Sequence, residues 1–389
     1  MTGVWTGEFR EWVRERAVEA GFDTAGVAAV SGAESDAGRV DAGRFADWVD
    51  AGRAGEMEYL KRRNEQGVLL RSGVEVAMPW ARSVVVCAVN YNGEGPLSIE
   101  SAGVETGWIA RYAWSGRSID GGEGLAPSDY HDEMLGRLRG VETALHERYA
   151  CETKCYVDTG PLVERAAAAK AGVGWIGKNA CVLNQKLGSW LLLGVIVTSL
   201  EVPEAVALEV AAGLVAVDRC GSCTRCIDAC PTGALVGPRE MDASRCIAYL
   251  TIEKKGAIAE EFREAMGRQV FGCDICQDVC PWNRRAPVAV KEGMLTRQEM
   301  VNPALEWLAG MDSAEFRRWF KGSPVERTRK KRLHRNVAIA MGNSGEARFV
   351  PQLEVWSGGE DEVLAESARW ALGRIRGAAE KGEETPALC

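Results

Sequence analysis

Apolar residues fall into two rhythms along this chain. Val84-Val-Val-Cys87-Ala-Val89-Asn90-Tyr91 and Trp190-Leu-Leu-Leu-Gly-Val-Ile-Val-Thr198 are short continuous apolar runs with β-branched residues. Such runs read as strands buried on both faces of a central sheet. Lys154 to Asp158 reads as a strand ending in a turn. Elsewhere the spacing changes to threes and fours. Phe9, Trp12, Val13 and Ala17 predict an amphipathic helix within the first 20 residues. Leu135, Leu138, Val141 and Leu145 predict another over 128–149. Residues 162–172 read as an alanine-rich helix closed by glycine. Residues 115–127, rich in Gly and small polar side chains, read as a surface loop.

These elements predict an α+β protein in three parts. Residues 1–205 form an α/β domain on one sheet, and residues 206–290 a ferredoxin-like module of short helices between cysteine runs. Residues 291–389 show no strand pattern. Two short amphipathic helices there, 337–344 and 365–375, suit stacked pairs of the HEAT type. The last residues, 377–389, are polar and expected to fray.

Composition narrows the class. Hydrophobic residues make up 46% and charged residues 26% of 389, as in soluble globular proteins. No apolar run approaches 18 residues, so no membrane span is expected. The first 20 residues lack an apolar h-region and a twin arginine, so neither kind of export signal is expected. The net charge of −8 argues against general adhesion to nucleic acid. One segment departs from that balance: Arg327-Thr-Arg329-Lys330-Lys331-Arg332-Leu-His334-Arg335. It reads either as a solvated helix face or as a local phosphate-binding patch.

The cysteines carry the strongest signal. Cys220-Gly-Ser-Cys223-Thr-Arg-Cys226-Ile-Asp-Ala-Cys230-Pro231 fits the bacterial ferredoxin run C-x2-C-x2-C-x3-C-P. A second run, Cys273-Asp-Ile-Cys276-Gln-Asp-Val-Cys280-Pro281, follows, with Cys246 between them. In ferredoxins the fourth cysteine of a run ligates the other cluster. That rule puts Cys220, Cys223, Cys226 and Cys280 on one 4Fe–4S cluster. It puts Cys230, Cys246, Cys273 and Cys276 on a second. Structural zinc also uses C-x2-C pairs, but rarely four close cysteines followed by proline. Cys87, Cys151, Cys155, Cys181 and Cys389 remain, without a disulfide-framework spacing. Free thiols and clusters together suit a reducing cytoplasm.

A third constellation is Tyr156-Val-Asp158-Thr-Gly-Pro-Leu-Val-Glu164-Arg165 with Lys170-Ala-Gly-Val-Gly-Trp175-Ile-Gly-Lys178-Asn179. It describes a strand end, a tight turn, a helix and a glycine loop where backbone can approach a ligand closely. Asp158 alone reads as a turn or N-cap aspartate. Together with both cysteine runs, Arg245 to Glu253, Asp129-Tyr-His131 and Arg335 to Asn343, this stretch resembles the epoxyqueuosine reductases. Those are cobalamin-dependent iron–sulfur enzymes acting on tRNA.

The resemblance implies an N-terminal domain that binds cobalamin and a C-terminal HEAT-like region that helps hold tRNA. It implies that Asp158 is the proton donor beside cobalt, in an apolar pocket. It implies that Trp175, Lys178 and Asn179 line the cobalamin, with Arg71 near the corrin. Gln277, Asp278 and Val279 would meet the cofactor beside the second cluster. Lys330, Lys331, Arg332 and Arg335 become the tRNA contacts. Electrons from an external donor would pass through the clusters to form cob(I)alamin, in a cytoplasmic monomer. One departure is an insertion of about ten residues between Arg111-Tyr-Ala-Trp-Ser115 and Asp129-Tyr-His131, compared with the family's Y-A-x-G-x-D-Y-H. No D-x-H-x-x-G occurs, so histidine-on cobalamin binding is not expected. The competing readings are a cobalamin-dependent reductive dehalogenase and an electron carrier without a substrate. The first would ordinarily be exported and has no use for a basic tail, and the second needs far fewer residues.

Overall fold

The structure is a computed structural model that describes residues 3–30, 36–100, 102–203 and 218–383. The expected domain boundary at 205/206 and Cys389 lie outside the described residues. Strands and helices are numbered here in chain order among those discussed. The central sheet holds β1 (Thr24–Ala29), β2 (Ser83–Asn90), β4 (Thr153–Tyr156) and β5 (Leu191–Thr198), in the order β1-β2-β5-β4. Every pairing is antiparallel. The α/β expectation for this part is therefore corrected. Its layers are those of an α/β domain, but no parallel strand pair joins the sheet.

β2 sits second in the sheet and is buried along its whole length. That is the fate its unbroken apolar run predicts. One face of the sheet packs on α1 (Phe9–Glu19) and α3 (Tyr130–Arg148). Met134, Leu138, Val141 and Leu145 of α3 are fully buried. Each such side chain stabilises the layer by roughly 1.5–3 kcal/mol. α4 (Glu164–Lys170) covers the opposite face. Its close approach explains one glycine: a Cβ on Gly26 of β1 would stand 2.0 Å from the Ala171 carbonyl oxygen. α2 (Asp36–Asp50) flanks this face.

The expected loop at 115–127 is instead a hairpin. Ser115–Ser118 pairs with Leu125–Pro127, and Leu295–Thr296 adds a third short strand. Small residues hid the strand pattern, and the expectation of no strand after residue 290 fails at the same place. β3 (Trp108–Ile109) pairs in parallel with β6 (Gln269–Phe271), tying the N-terminal part to the cysteine-bearing part.

Beyond residue 218 the chain forms α5 (Arg225–Asp228), α6 (Ile247–Ile252) and α7 (Ile275–Asp278) around the cysteines. Then follow α8 (Leu305–Gly310), α9 (Ser313–Phe320), α10 (Arg329–Ser344), α11 (Val350–Ser357) and α12 (Glu362–Glu383). α10 and α12 are longer than the apolar pattern alone predicts, and α12 continues through part of the tail expected to fray. Their apolar faces share a core with Trp108, Trp114 and Phe271. The helical region thus packs directly on the cysteine-bearing segment and its neighbours.

Candidate active site

β4 ends at Tyr156, and the chain turns through Val157 and Asp158 before α4 begins. Asp158 has φ 59°, a left-handed conformation. A non-glycine residue held there costs about 1–3 kcal/mol and marks functional sites more often than ordinary turns. Arg71 fastens this turn by donating from Nη2 to the Asp158 carbonyl oxygen at 3.3 Å. The carboxylate points outward, with 61% of the side chain exposed. The apolar pocket expected around it is corrected to an open, polar mouth.

α3 supplies that mouth. Asp129 is its N-cap and accepts from the His131 backbone N–H at 3.0 Å. The cap fixes the first turn and so delivers two side chains to Asp158. Tyr130 donates its hydroxyl to Asp158 Oδ2 at 3.3 Å, and His131 Nε2 stands 4.0 Å from the same oxygen. Burial pushes Asp129 up, but the His131 ring and backbone N–H and the Arg327 charge outweigh it and hold Asp129 below the usual carboxylate range. Burial pushes the Tyr130 hydroxyl well up.

Behind Asp158 opens a cleft of about 1010 Å³. Its walls combine Phe45 and Trp48 of α2, Ala28 to Val30, Arg71 to Val74, Leu162 to Ala167, Ile176 and Ala180. Its described lining contains no histidine. Glu164 is half-buried there, and its Oε1 is enclosed without a hydrogen-bond partner. Burial, then the neighbouring Asp158, push Glu164 up to about 7.

The cysteines gather beside the cleft. Cys226 neighbours Cys220 and Cys223, and Cys280 neighbours Cys220 and Cys226. Cys246 neighbours Cys230, Cys273 neighbours Cys246 and Cys230, and Cys276 neighbours Cys273 and Cys246. Among the described residues, no three His, Cys, Asp or Glu side chains close around one point tightly enough for a single metal ion. Cys87, Cys151, Cys155 and Cys181 are free thiols.

Of the residues expected at the cofactor, Arg71 and Asp158 line the cleft. The others lie on the cysteine side of its wall. Trp175 is buried against Cys280 and Cys220 and meets Trp282 edge-on at 4.9 Å. Lys178 donates from Nζ to the Gly221 carbonyl at 2.6 Å. Asn179 donates to the Cys276 carbonyl at 3.4 Å. Gln277 bonds Tyr91 and Ser189, and Asp278 accepts from the Ser98 backbone N–H at 2.8 Å. Val279 caps α7. Gly174 explains the glycine-rich spacing here, because a Cβ would stand 2.2 Å from the Leu183 carbonyl oxygen.

The basic segment divides. Arg335 is 1% exposed and donates to the carbonyls of Leu250, Lys254 and Gly256 at 2.6–2.7 Å. It joins α10 to α6, and its assignment to RNA is corrected: its donors are spent on backbone. Arg332 is half-buried and donates to the Thr328 and Arg327 carbonyls. Lys331 is exposed, 3.3 Å from Asp361, and Lys330 is half-buried. Arg327 does something sequence distance hid. From the turn Pro324–Thr328 it reaches His131, with Nη2 2.7 Å from Nε2 and in contact with Nδ1.

Sequence reasoning gave no role to Tyr130, His131, Glu164, Asp274 or Arg327. All five lay inside the quoted motifs, so each carried a usable signal. Asp274, buried between two cysteines, accepts from Trp108 Nε1 at 3.0 Å and the Arg111 backbone N–H at 2.7 Å. Burial and the Asp278 carboxylate push it up to about 7.

A double cysteine run, a large cleft and a poised carboxylate define an iron–sulfur oxidoreductase. Residues 219–283 match the family model for a 4Fe-4S double cluster binding domain. Residues 71–159 match that for epoxyqueuosine reductase QueG, DUF1730. The epoxyqueuosine reductase of Pseudomonas aeruginosa is 35% identical over 374 residues, covering 94% of this chain and 93% of that protein. The Xanthomonas campestris one is 34% identical over 368 residues, covering 92% and 94%. A crystal structure of epoxyqueuosine reductase with an epoxyqueuosine-modified tRNA-Tyr stem loop superposes with TM-score 0.78 at 28% identity, covering 97% and 93%. A Bacillus subtilis epoxyqueuosine reductase, solved with its catalytic aspartate loop swung out of the active site, gives 0.77 at 27% identity, covering 98% and 95%. The chain belongs to the epoxyqueuosine reductase family.

Proposed function

We propose that this chain reduces the epoxide of epoxyqueuosine in a tRNA anticodon loop to queuosine, the last step of queuosine biosynthesis. In that reaction both epoxide C–O bonds break, a C=C bond forms, and the oxygen leaves as water with two electrons and two protons. The observation that carries the reading is Asp158, a strained carboxylate at the mouth of a cleft whose far wall is tied to the cysteine runs. An electron carrier without a substrate would need neither.

The eight cysteines would hold two 4Fe–4S clusters, Cys220, Cys223, Cys226 and Cys280 on one and Cys230, Cys246, Cys273 and Cys276 on the other. The cleft fits cobalamin. At about 1010 Å³ it lies at the upper end of small-molecule pockets. Its apolar walls suit a corrin ring, and the partnerless Glu164 Oε1 suits an amide N–H on the ring's edge. Cobalamin supplies, when bound, a strongly reducing cobalt centre.

The protein supplies position and protons. Asp158 gives its proton to the departing oxygen, a service worth roughly 10² to 10⁴ in rate. Tyr130 aims the carboxyl through its hydrogen bond, and Arg71 fixes the turn beneath it. The displaced aspartate loop of the Bacillus subtilis relative supports reading this turn as a moving part. The stem loop bound to another relative supports RNA as the partner; we assign its docking to α10 and the HEAT-like helices, with Lys330 and Lys331 toward phosphate, on their charge. Among the described residues no helix is long and apolar enough to cross a membrane. We place the enzyme in the cytoplasm, as a monomer served by an external electron donor. The test is nucleoside analysis of tRNA from a strain lacking this protein. Epoxyqueuosine should accumulate and vanish on complementation. A normal queuosine content would remove the assignment.

A further inference from the structure

The reduction consumes two protons per oxygen, and a carboxyl carries one. Asp158 must therefore be recharged, or helped, within each cycle. We propose that His131 returns a proton to Asp158, and that Arg327 blocks this transfer until RNA draws the arginine away. The inference rests on the reaction proposed above.

Three distances carry it. His131 Nδ1 stands 2.7 Å from Asp129 Oδ1, and Nε2 stands 4.0 Å from Asp158 Oδ2. Asp129, an N-cap held ionised by its partners, accepts the Nδ1 proton. Nε2 is then the nitrogen that charges and discharges, and it faces Asp158. Arg327 Nη2 lies 2.7 Å from that same Nε2. A guanidinium has donors only and keeps its charge, and Arg327 Nη2 contacts both ring nitrogens. While it sits there, with Asp129 beside Nδ1, the cation opposes a second proton on the ring.

Arg327 is placed to move. It heads the basic segment, its side chain is 39% exposed, and Arg329 and Lys330 follow within three residues. Beyond the ring, where it also contacts Nδ1, it lies 3.9 Å from Asp129 and 5.7 Å from the Tyr130 ring centre. A phosphate arriving here competes for the guanidinium with a shorter, bidentate partner. Released, Nε2 takes a proton from water and passes it to Asp158 Oδ2, restoring the acid. No electron and no further reactant enter this step.

The remaining groups around the imidazole do not substitute for it. Asp129, Tyr130, Asp158 and Arg327 face His131, Tyr112 stands behind Tyr130, and Tyr59 lies beyond Asp158. Burial pushes the Tyr130 and Tyr112 hydroxyls well up, and Tyr59 to about 12. All three hold their protons throughout the working range.

Two measurements on the loaded enzyme test this. The first is the rate on saturating stem loop against pH. The wild-type rate should fall on the alkaline side as the imidazolium is lost. His131→Gln should slow turnover about 10- to 100-fold and lose that alkaline limb. His131→Ala should regain rate with added imidazole, at unchanged KM for RNA. Arg327→Ala should leave the limb in place on saturating stem loop, because RNA has already drawn the arginine from the ring, and a limb moved in this variant would overturn the latch. A wild-type alkaline limb in His131→Gln would overturn the relay. So would an absence of imidazole rescue in a His131→Ala protein that keeps its clusters and cobalamin.

The second measurement needs no turnover, so it stands even if the proposed reaction fails. The chain has 3 histidines, His131, His146 and His334, so ¹⁵N-histidine spectra are readily assigned. Adding an unmodified anticodon stem loop near pH 7 should turn the His131 ring from neutral to imidazolium. A ring already charged in the free enzyme, or one unmoved by RNA, would overturn the latch.

Discussion

The cysteine runs and the Asp158 turn lie on two sides of one wall and are built by opposite rules. Around the cysteines most polar side chains are buried and bonded, although Asp278 Oδ1 and Trp175 Nε1 have no partner. Asp274, Gln277, Asp278 and Asn179 each bond named backbone or side-chain partners. Around Asp158 the carboxylate is exposed, the backbone is left-handed, and Glu164 Oε1 has no partner. The first arrangement suits groups that must hold still while electrons pass. The second suits a group that must meet a substrate and change protonation. Rigidity and strain have been separated, and Asn179 and Lys178 are the short bridges between them.

The sharpest way to break this contrast is to damage each side alone. Cys246→Ala should abolish turnover and remove about half the iron of the anaerobically purified protein, because a cluster needs its four thiolates. Full iron, or zinc in its place, would end the two-cluster assignment. Asp158→Asn should leave iron content, cobalamin binding and RNA binding intact while turnover falls roughly 10²- to 10⁴-fold. Near-normal turnover would deny Asp158 its role.

The basic segment carries a smaller version of the same contrast. Arg335→Ala leaves three carbonyls without their donor, at roughly 1–3 kcal/mol for each one kept from water. A clear drop in melting temperature is expected, with the salt dependence of RNA binding unchanged. Lys330→Ala with Lys331→Ala should do the reverse, keeping stability and flattening the salt slope by at most about two phosphate contacts. Equal slopes would make this helix face merely solvated.

The smallest effect concerns Glu164. A folded-state value raised from 4.5 to about 7 means that the stabilisation of the neutral carboxyl is full below pH 4.5 and is lost as pH rises through 7. Glu164→Gln should therefore gain stability over the parent above pH 7, by at most about 3 kcal/mol. Thermal denaturation of cobalamin-free protein at pH 5 and 8 measures it. An equal difference at both values would show that burial does not govern this group.

Much of this was written in local pattern. Unbroken apolar runs predicted β2 and β5, because a strand covered on both faces has no polar positions. Three- and four-residue spacing predicted the buried face of α3. Cysteine spacing grouped Cys280 with the first run, and the structure brings it beside Cys220 and Cys226. Motif identity pointed to Asp158, Arg71 and the family.

Other properties depend on what lies opposite in space. The antiparallel order of the sheet rests on pairings between segments far apart in sequence, and strand pattern alone carries no direction. The hairpin at 115–127 was hidden because Gly and Ser give no strand rhythm. Arg327 and Arg335 are eight positions apart in one basic run and look alike as letters. One meets an imidazole beside Asp158, and the other is enclosed by carbonyls of α6 and the segment after it. Charge and spacing are properties of the chain, so the sequence determined the main apolar elements, the cysteine spacing and the presence of a basic segment. Burial and partnership are properties of the packed molecule, so only the tertiary structure decided which arginine is spent on backbone carbonyls and which meets the imidazole beside Asp158.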